Sequence, residues 1–97
     1  MLYHIVYTNN ELMPIIATFY NLIIKMHYGD NEHNPPHIHA RNKKGQEGVF
    51  EIKTGIMIRG NLSLKEIKII QDFIIQYKER LIEMWEKQNF ERLKYGN

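Results

Sequence analysis

HIHARNKKGQEGVFEIKTGIMIRGNLSLKE, residues 37–66, changes its hydrophobic period once, and that change sets the fold. Up to Leu62 apolar and polar residues alternate, the period of a strand with one buried face; from Ser63 the apolar residues recur every three or four, the period of a helix. His37–Arg41 reads as a strand with Ile38 and Ala40 inward and His37, His39 and Arg41 outward. Asn42–Gly45 reads as a turn carrying Lys43 and Lys44 at its tip. Glu47–Lys53 alternates again, Phe50 and Ile52 inward against Glu47, Val49, Glu51 and Lys53 outward, and Thr54-Gly55 reverses the chain. The same rule predicts a last strand over Ile56–Leu62, with Ile56 and Ile58 inward, Met57 and Arg59 outward, and a bulge or bend at Gly60. Ser63-Leu64-Lys65-Glu66 then has the capping-box form, a hydroxyl residue followed three later by Glu.

Downstream of the cap, Leu64, Ile67, Ile70, Phe73, Ile74, Tyr77, Leu81, Met84 and Trp85 share one helical face through about Phe90, with a bend or break expected near Gln76–Glu79. Upstream, Ile15–Tyr28 (IIATFYNLIIKMHY) is rich in β-branched and aromatic residues and reads as one long bent strand or a hairpin turning near Asn21. Its alternation sends Leu22, Ile24, Met26 and Tyr28 to the core and Ile23, Lys25 and His27 to the opposite face. Gly29–Pro36 is a loop, since Gly, Asp, Asn and a diproline oppose continued pairing. The fold class is therefore α+β: an antiparallel sheet of about four strands with one long or two shorter C-terminal helices packed on one face. Residues 13–92 form the globular unit, residues 1–12 an N-terminal extension or extra strand, and residues 93–97 a tail expected to fray.

Ninety-seven residues with 43% apolar content suffice for a single modest core. Cysteine is absent, which excludes disulfides and thiolate chemistry, so any zinc would need histidine and carboxylate ligands. No export signal or membrane span is evident, so a soluble cytoplasmic protein is expected. Net charge is +2, and splitting the chain at Leu62 leaves one excess base on each side. Any nucleic-acid role must then rest on local geometry rather than bulk charge.

The densest chemistry lies in Asp30-Asn31-Glu32-His33-Asn34-Pro35-Pro36-His37-Ile38-His39-Ala40, where three of the five histidines fall within seven residues beside rigid backbone. Imidazole changes charge near neutral pH and is the commonest metal ligand. If the alternations hold, the outer sheet face gathers Lys25, His27, His37, His39, Arg41, Glu51, Lys53 and Arg59, denser in basic groups than an ordinary wet face.

Met13-Pro14-Ile15, Phe19-Tyr20, the HNPPHIHA core, Phe50-Glu51-Ile52 with Thr54-Gly55, Gly60, and Glu79, Leu81 and Trp85 resemble the bacterial Domain of Unknown Function 4160 family from Met13 to about Phe90. Members commonly begin at the Met-Pro that stands here as Met13-Pro14, which makes residues 1–12 an added strand or an upstream start. The resemblance also implies an acidic role for Asp30 or Glu32 near His33. Such genes often stand beside one for another small domain, Domain of Unknown Function 2442, an arrangement resembling toxin–antitoxin pairs. The resemblance thus implies a small antitoxin-like partner protein.

Three chemistries fit the outer face. Zinc could be held by His37 and His39, two apart on one strand, with His33, His27, Glu51 or Asp30 completing the set. Metal-independent RNA cleavage could use His37 or His39 with Glu51 as base and acid, and Arg41, Lys53 or Arg59 as the cation facing the transition state. A binding module could dock a partner on the same face or its edge, with His27, His33, Lys53 and Arg59 making contacts. The plain structural alternative has His37 and His39 bonding loop carbonyls and carboxylates to fix the diproline turn. Trp85 is expected in the core, Lys43 and Lys44 in a solvated turn, and His4 without a role.

Overall fold

The computed structural model describes residues 13–27, 29 and 34–96. Five strands occur among them: β1 (Ile15–Phe19), β2 (Leu22–Lys25), β3 (His37–Arg41), β4 (Glu47–Glu51) and β5 (Met57–Gly60). They form one antiparallel meander in sequence order, followed by a helix, α1 (Leu64–Lys87). Among the described residues the sheet therefore has five strands rather than about four, because Ile15–Lys25 is a hairpin turning at Tyr20-Asn21. Tyr20 takes φ 55°, a left-handed conformation that favours glycine. The expectations for Tyr28, His33, Asp30, Glu32, His4 and residues 1–12 lie outside the described residues.

One face of the sheet buries Phe19, Leu22, Ile24, Ile38, Ala40, Phe50 and Ile52 against Ile70, Phe73, Ile74 and Leu81 of α1. A bulge in β1 between Ile15 and Ala17 lets Ile16 and Ala17 both reach the core. The helix begins as the sequence predicts. Ser63 Oγ accepts from the Glu66 N–H and Glu66 Oε1 accepts from the Ser63 N–H. Asn42, almost fully buried, ties the β3–β4 turn to this cap: its Nδ2 donates to Gln46 Oε1 at 2.8 Å and to Glu66 Oε2 at 3.0 Å. The backbone leaves helical geometry at Tyr77, inside the predicted Gln76–Glu79 window. The helix stops at Lys87 with Gln88 in the left-handed region, short of Phe90.

Four expectations need correction. The phase of β5 is inverted: Met57 packs on the core, while Ile56 and Ile58 are 55% and 52% exposed. The cause is the register set by the β4–β5 turn: Glu51 N–H bonds to Ile56 O and Phe50 pairs with Met57, so Met57 shares the inward side of Phe50 and Ile56 and Ile58 face out. A bulge then sets Val49 opposite Arg59, which keeps Arg59 on its expected outward side. Leu64 is 86% exposed because it occupies the first helical position; the stripe begins one turn later at Ile67. Lys53 is not on a strand, because Gly55 N–H to Glu51 O and Glu51 N–H to Ile56 O close a turn around it. The tail is docked through Tyr95 rather than frayed. Leu93 N–H donates to Ile16 O at 2.7 Å, and the Tyr95 ring packs edge-on against Phe19 and Phe73.

Candidate functional site

Cross-strand register builds the site. Lys25, His39, Val49 and Arg59 stand directly opposite one another across β2, β3, β4 and β5, forming a row on the sheet face turned away from α1. His27 follows β2 by two residues, and its ring stacks on that of His39 with centroids 3.6 Å apart and planes within 1°. His37 meets His39 edge-on at 5.1 Å and lies 4.7 Å from the Trp85 ring. The four rings thus form a continuous ladder from the core to the outer face.

His37 is the innermost imidazole. The sequence places it outward on a wet face, yet it is only 8% exposed, because α1 ends beside the start of β3 and brings Trp85 over it. Its Nδ1 lies 2.9 Å from the Pro35 carbonyl. A carbonyl oxygen only accepts, so Nδ1 carries the proton and, in the neutral ring, Nε2 carries the lone pair. The diproline therefore sets both the loop's path and the tautomer of His37. The end of α1 is tied to the same region: Gln88 Oε1 accepts from the Gly29 N–H at 2.7 Å, and Gln88 Nε2 donates to the Trp85 carbonyl.

An open cavity of about 410 Å³ is lined by His27, His37, His39 and Arg59, with Asn34 and Pro35 on one side. Val49 and Ile58 supply its apolar surface. The β5 bulge explains the membership of Ile58 and Arg59 together: two consecutive residues oppose Val49, and both turn toward it. Among the described residues no carboxylate lines this cavity. A larger hollow, about 870 Å³, lies at the other end of the sheet near Tyr20, Asn21 and the helix cap. Ser63 and Glu66 there are already committed to capping, and no imidazole is present.

The remaining sequence candidates fall elsewhere. Arg41 stands opposite Ile23 and Glu47, one row away, and its guanidinium lies over the Gly45 turn. Glu51 is the cross-strand neighbour of His37, but its Oε1 accepts a hydrogen bond from Thr54 Oγ1 at 2.6 Å and it does not line the cavity. Lys53 sits in the β4–β5 turn, where its carbonyl accepts from Lys78 Nζ. For zinc, the stacked rings of His27 and His39 hold their nitrogens in parallel planes, which does not converge two lone pairs on one ion. Among the described residues no three His, Asp or Glu groups are placed to hold a metal ion; His33 is not described.

Sequence reading missed the apolar part of the site. Alternation alone places Ile58 in the core, and only the pairing of Met57 with Phe50 reveals its real side. Trp85 was assigned to the core and is buried there, but its contact with His37 depends on where the helix ends over the sheet.

Fold and site together define a small α+β domain, a five-stranded antiparallel meander backed by one helix, whose open face carries a histidine-lined cavity. The chain belongs to the family described as Domain of unknown function (DUF4160), whose model matches residues 21–86. That span contains every residue of the imidazole ladder. No curated protein and no solved structure matches the chain. No helix among the described residues is long and apolar enough to cross a membrane.

Proposed function

We propose that this chain is the toxin-like member of a two-protein bacterial module, an intracellular protein that cleaves RNA in the imidazole-lined cavity without a metal. The observation that carries the reading is the convergence of three imidazoles and the Arg59 guanidinium on one open cavity. Imidazoles can both take and give protons near neutral pH, and a guanidinium complements a phosphate's charge and geometry.

In this reading one imidazole of the His27–His39 pair takes the proton of a ribose 2′-hydroxyl, and the oxygen attacks the adjacent phosphorus. The bond to the 5′-oxygen breaks, a 2′,3′-cyclic phosphate forms, and the other imidazole donates the proton that the leaving oxygen requires. Arg59 faces the charge that builds on the phosphoryl oxygens. His37, pinned by Pro35 and Trp85, is a positioning residue that orients the His39 ring. His27 replaces Glu51 as the second proton-transfer group, since Glu51 holds Thr54 instead.

The test is chemical. Purified protein should cleave a single-stranded RNA oligonucleotide, leave a 2′,3′-cyclic phosphate, and do so equally in excess chelator. A single 2′-deoxy substitution at the cut position should block cleavage there. Cleavage that persists through the deoxy position, or that chelator removes, would overturn the mechanism.

A further inference from the structure

We infer that the open edge of β5 is a docking strand for an extended, acidic segment of a partner protein, and that such a segment closes the imidazole cavity when it pairs there. The two sheet edges differ. On β1 the chain's own tail lies alongside, with Leu93 N–H bonded to Ile16 O and Tyr95 packed on Phe19. On the far side of β5 no strand stands among the described residues.

The backbone of β5 offers pairing groups outward. Glu51 N–H bonds to Ile56 O at 2.9 Å, so the Ile56 carbonyl faces β4, its N–H donating to Thr54 Oγ1, and the Met57 N–H of the same trans peptide points away from β4. Edge strands are usually guarded by lysine, proline, shortness or a bulge. β5 is short and bulged, but it contains neither lysine nor proline, and Ile56 and Ile58 stand half-exposed along it. The bulge turns Ile58 and Arg59 toward the cavity, so a strand added beside them would lie along the cavity's rim.

Charge selects the occupant. Arg59, on β5 itself, is the charged group of the cavity wall beside this edge, and no described carboxylate lines the cavity, so a segment alternating apolar and acidic side chains complements it. The closure of the cavity rests on reading it as the working site.

The full-length chain, labelled with ¹⁵N, is titrated with a synthetic heptapeptide alternating valine and glutamate and with its valine–lysine counterpart. The expected result is saturable shifts at Met57–Gly60 and slowed exchange of the Met57 amide. The lysine peptide and the Ile58→Lys variant should each weaken binding at least tenfold. No saturable shift on β5, or equal affinity for the two peptides, would overturn the proposal. His39→Ala separates the two readings: it should abolish RNA cleavage while leaving peptide shifts on β5 intact. Peptide binding by a chain that cleaves no RNA would keep the docking edge and remove the catalytic reading.

Discussion

Gly60 shows how one residue carries the site. Its φ of +130° is unfavourable for any side chain, and an added Cβ would fall 2.3 Å from the Glu47 carbonyl oxygen and 2.5 Å from Gly48 Cα. Gly48 stands directly across, itself crowded by Leu62 and Met57, so β4 and β5 approach through paired glycines. Just upstream the bulge delivers Ile58 and Arg59 to the cavity. Gly60→Ala should therefore destabilise the chain by at least about 2 kcal/mol. Thermal unfolding reads it; a melting temperature within about 1 °C of wild type would contradict the tight approach. At this scale the sequence conveyed residue type and missed company. His27 lies on the predicted outer face, but its stacking on His39 depends on where the chain stops after β2, which no local pattern encodes.

At the scale of elements, legibility followed locality. The start of α1 was readable because the capping box is written in four consecutive residues, Ser63 to Glu66. The sides of Ile38, Ala40 and Phe50 were readable because alternation along a regular strand decides them. At the start of β5 the same rule gives the wrong sides for Ile56, Met57 and Ile58, since the turn closed by Glu51 N–H and Ile56 O sets the phase of the new strand, and the bulge then returns Arg59 to its expected side. The tail was unreadable for a related reason: Leu93 and Tyr95 dock on β1, more than seventy residues earlier in the chain. The cap also carries a pH signature. The Ser63 backbone hydrogen bond, helped by Asn42, holds the Glu66 carboxyl below the usual carboxylate range. A lowered folded value means that this stabilisation is complete above the unfolded-state value and is lost as pH falls through the folded one. Denaturant unfolding from neutral to acid pH should show a smaller acid loss in Glu66→Gln than in wild type. Identical profiles would contradict the assignment.

For the whole molecule, the sheet separates two duties. Its inner face and α1 hold the fold together, while the opposite face, where the Lys25–His39–Val49–Arg59 row crosses four strands, carries imidazoles and a guanidinium over an apolar floor. Trp85 joins the two, because the core helix that ends beside β3 also fixes His37. That architecture ranks the basic residues of the outer face by position rather than by charge: Arg59 lines the cavity, Arg41 leans over the Gly45 turn and Lys53 sits beyond the end of β4. The most direct measurement compares RNA cleavage rates of His39→Ala, Arg59→Ala, Arg41→Ala and Lys53→Ala against wild type under identical salt. Expected is a loss of about 10²-fold or more for His39→Ala and Arg59→Ala, with Arg41→Ala and Lys53→Ala within about threefold of wild type. Full activity in His39→Ala, or an Arg41→Ala loss equal to that of Arg59→Ala, would contradict the cavity as the working site.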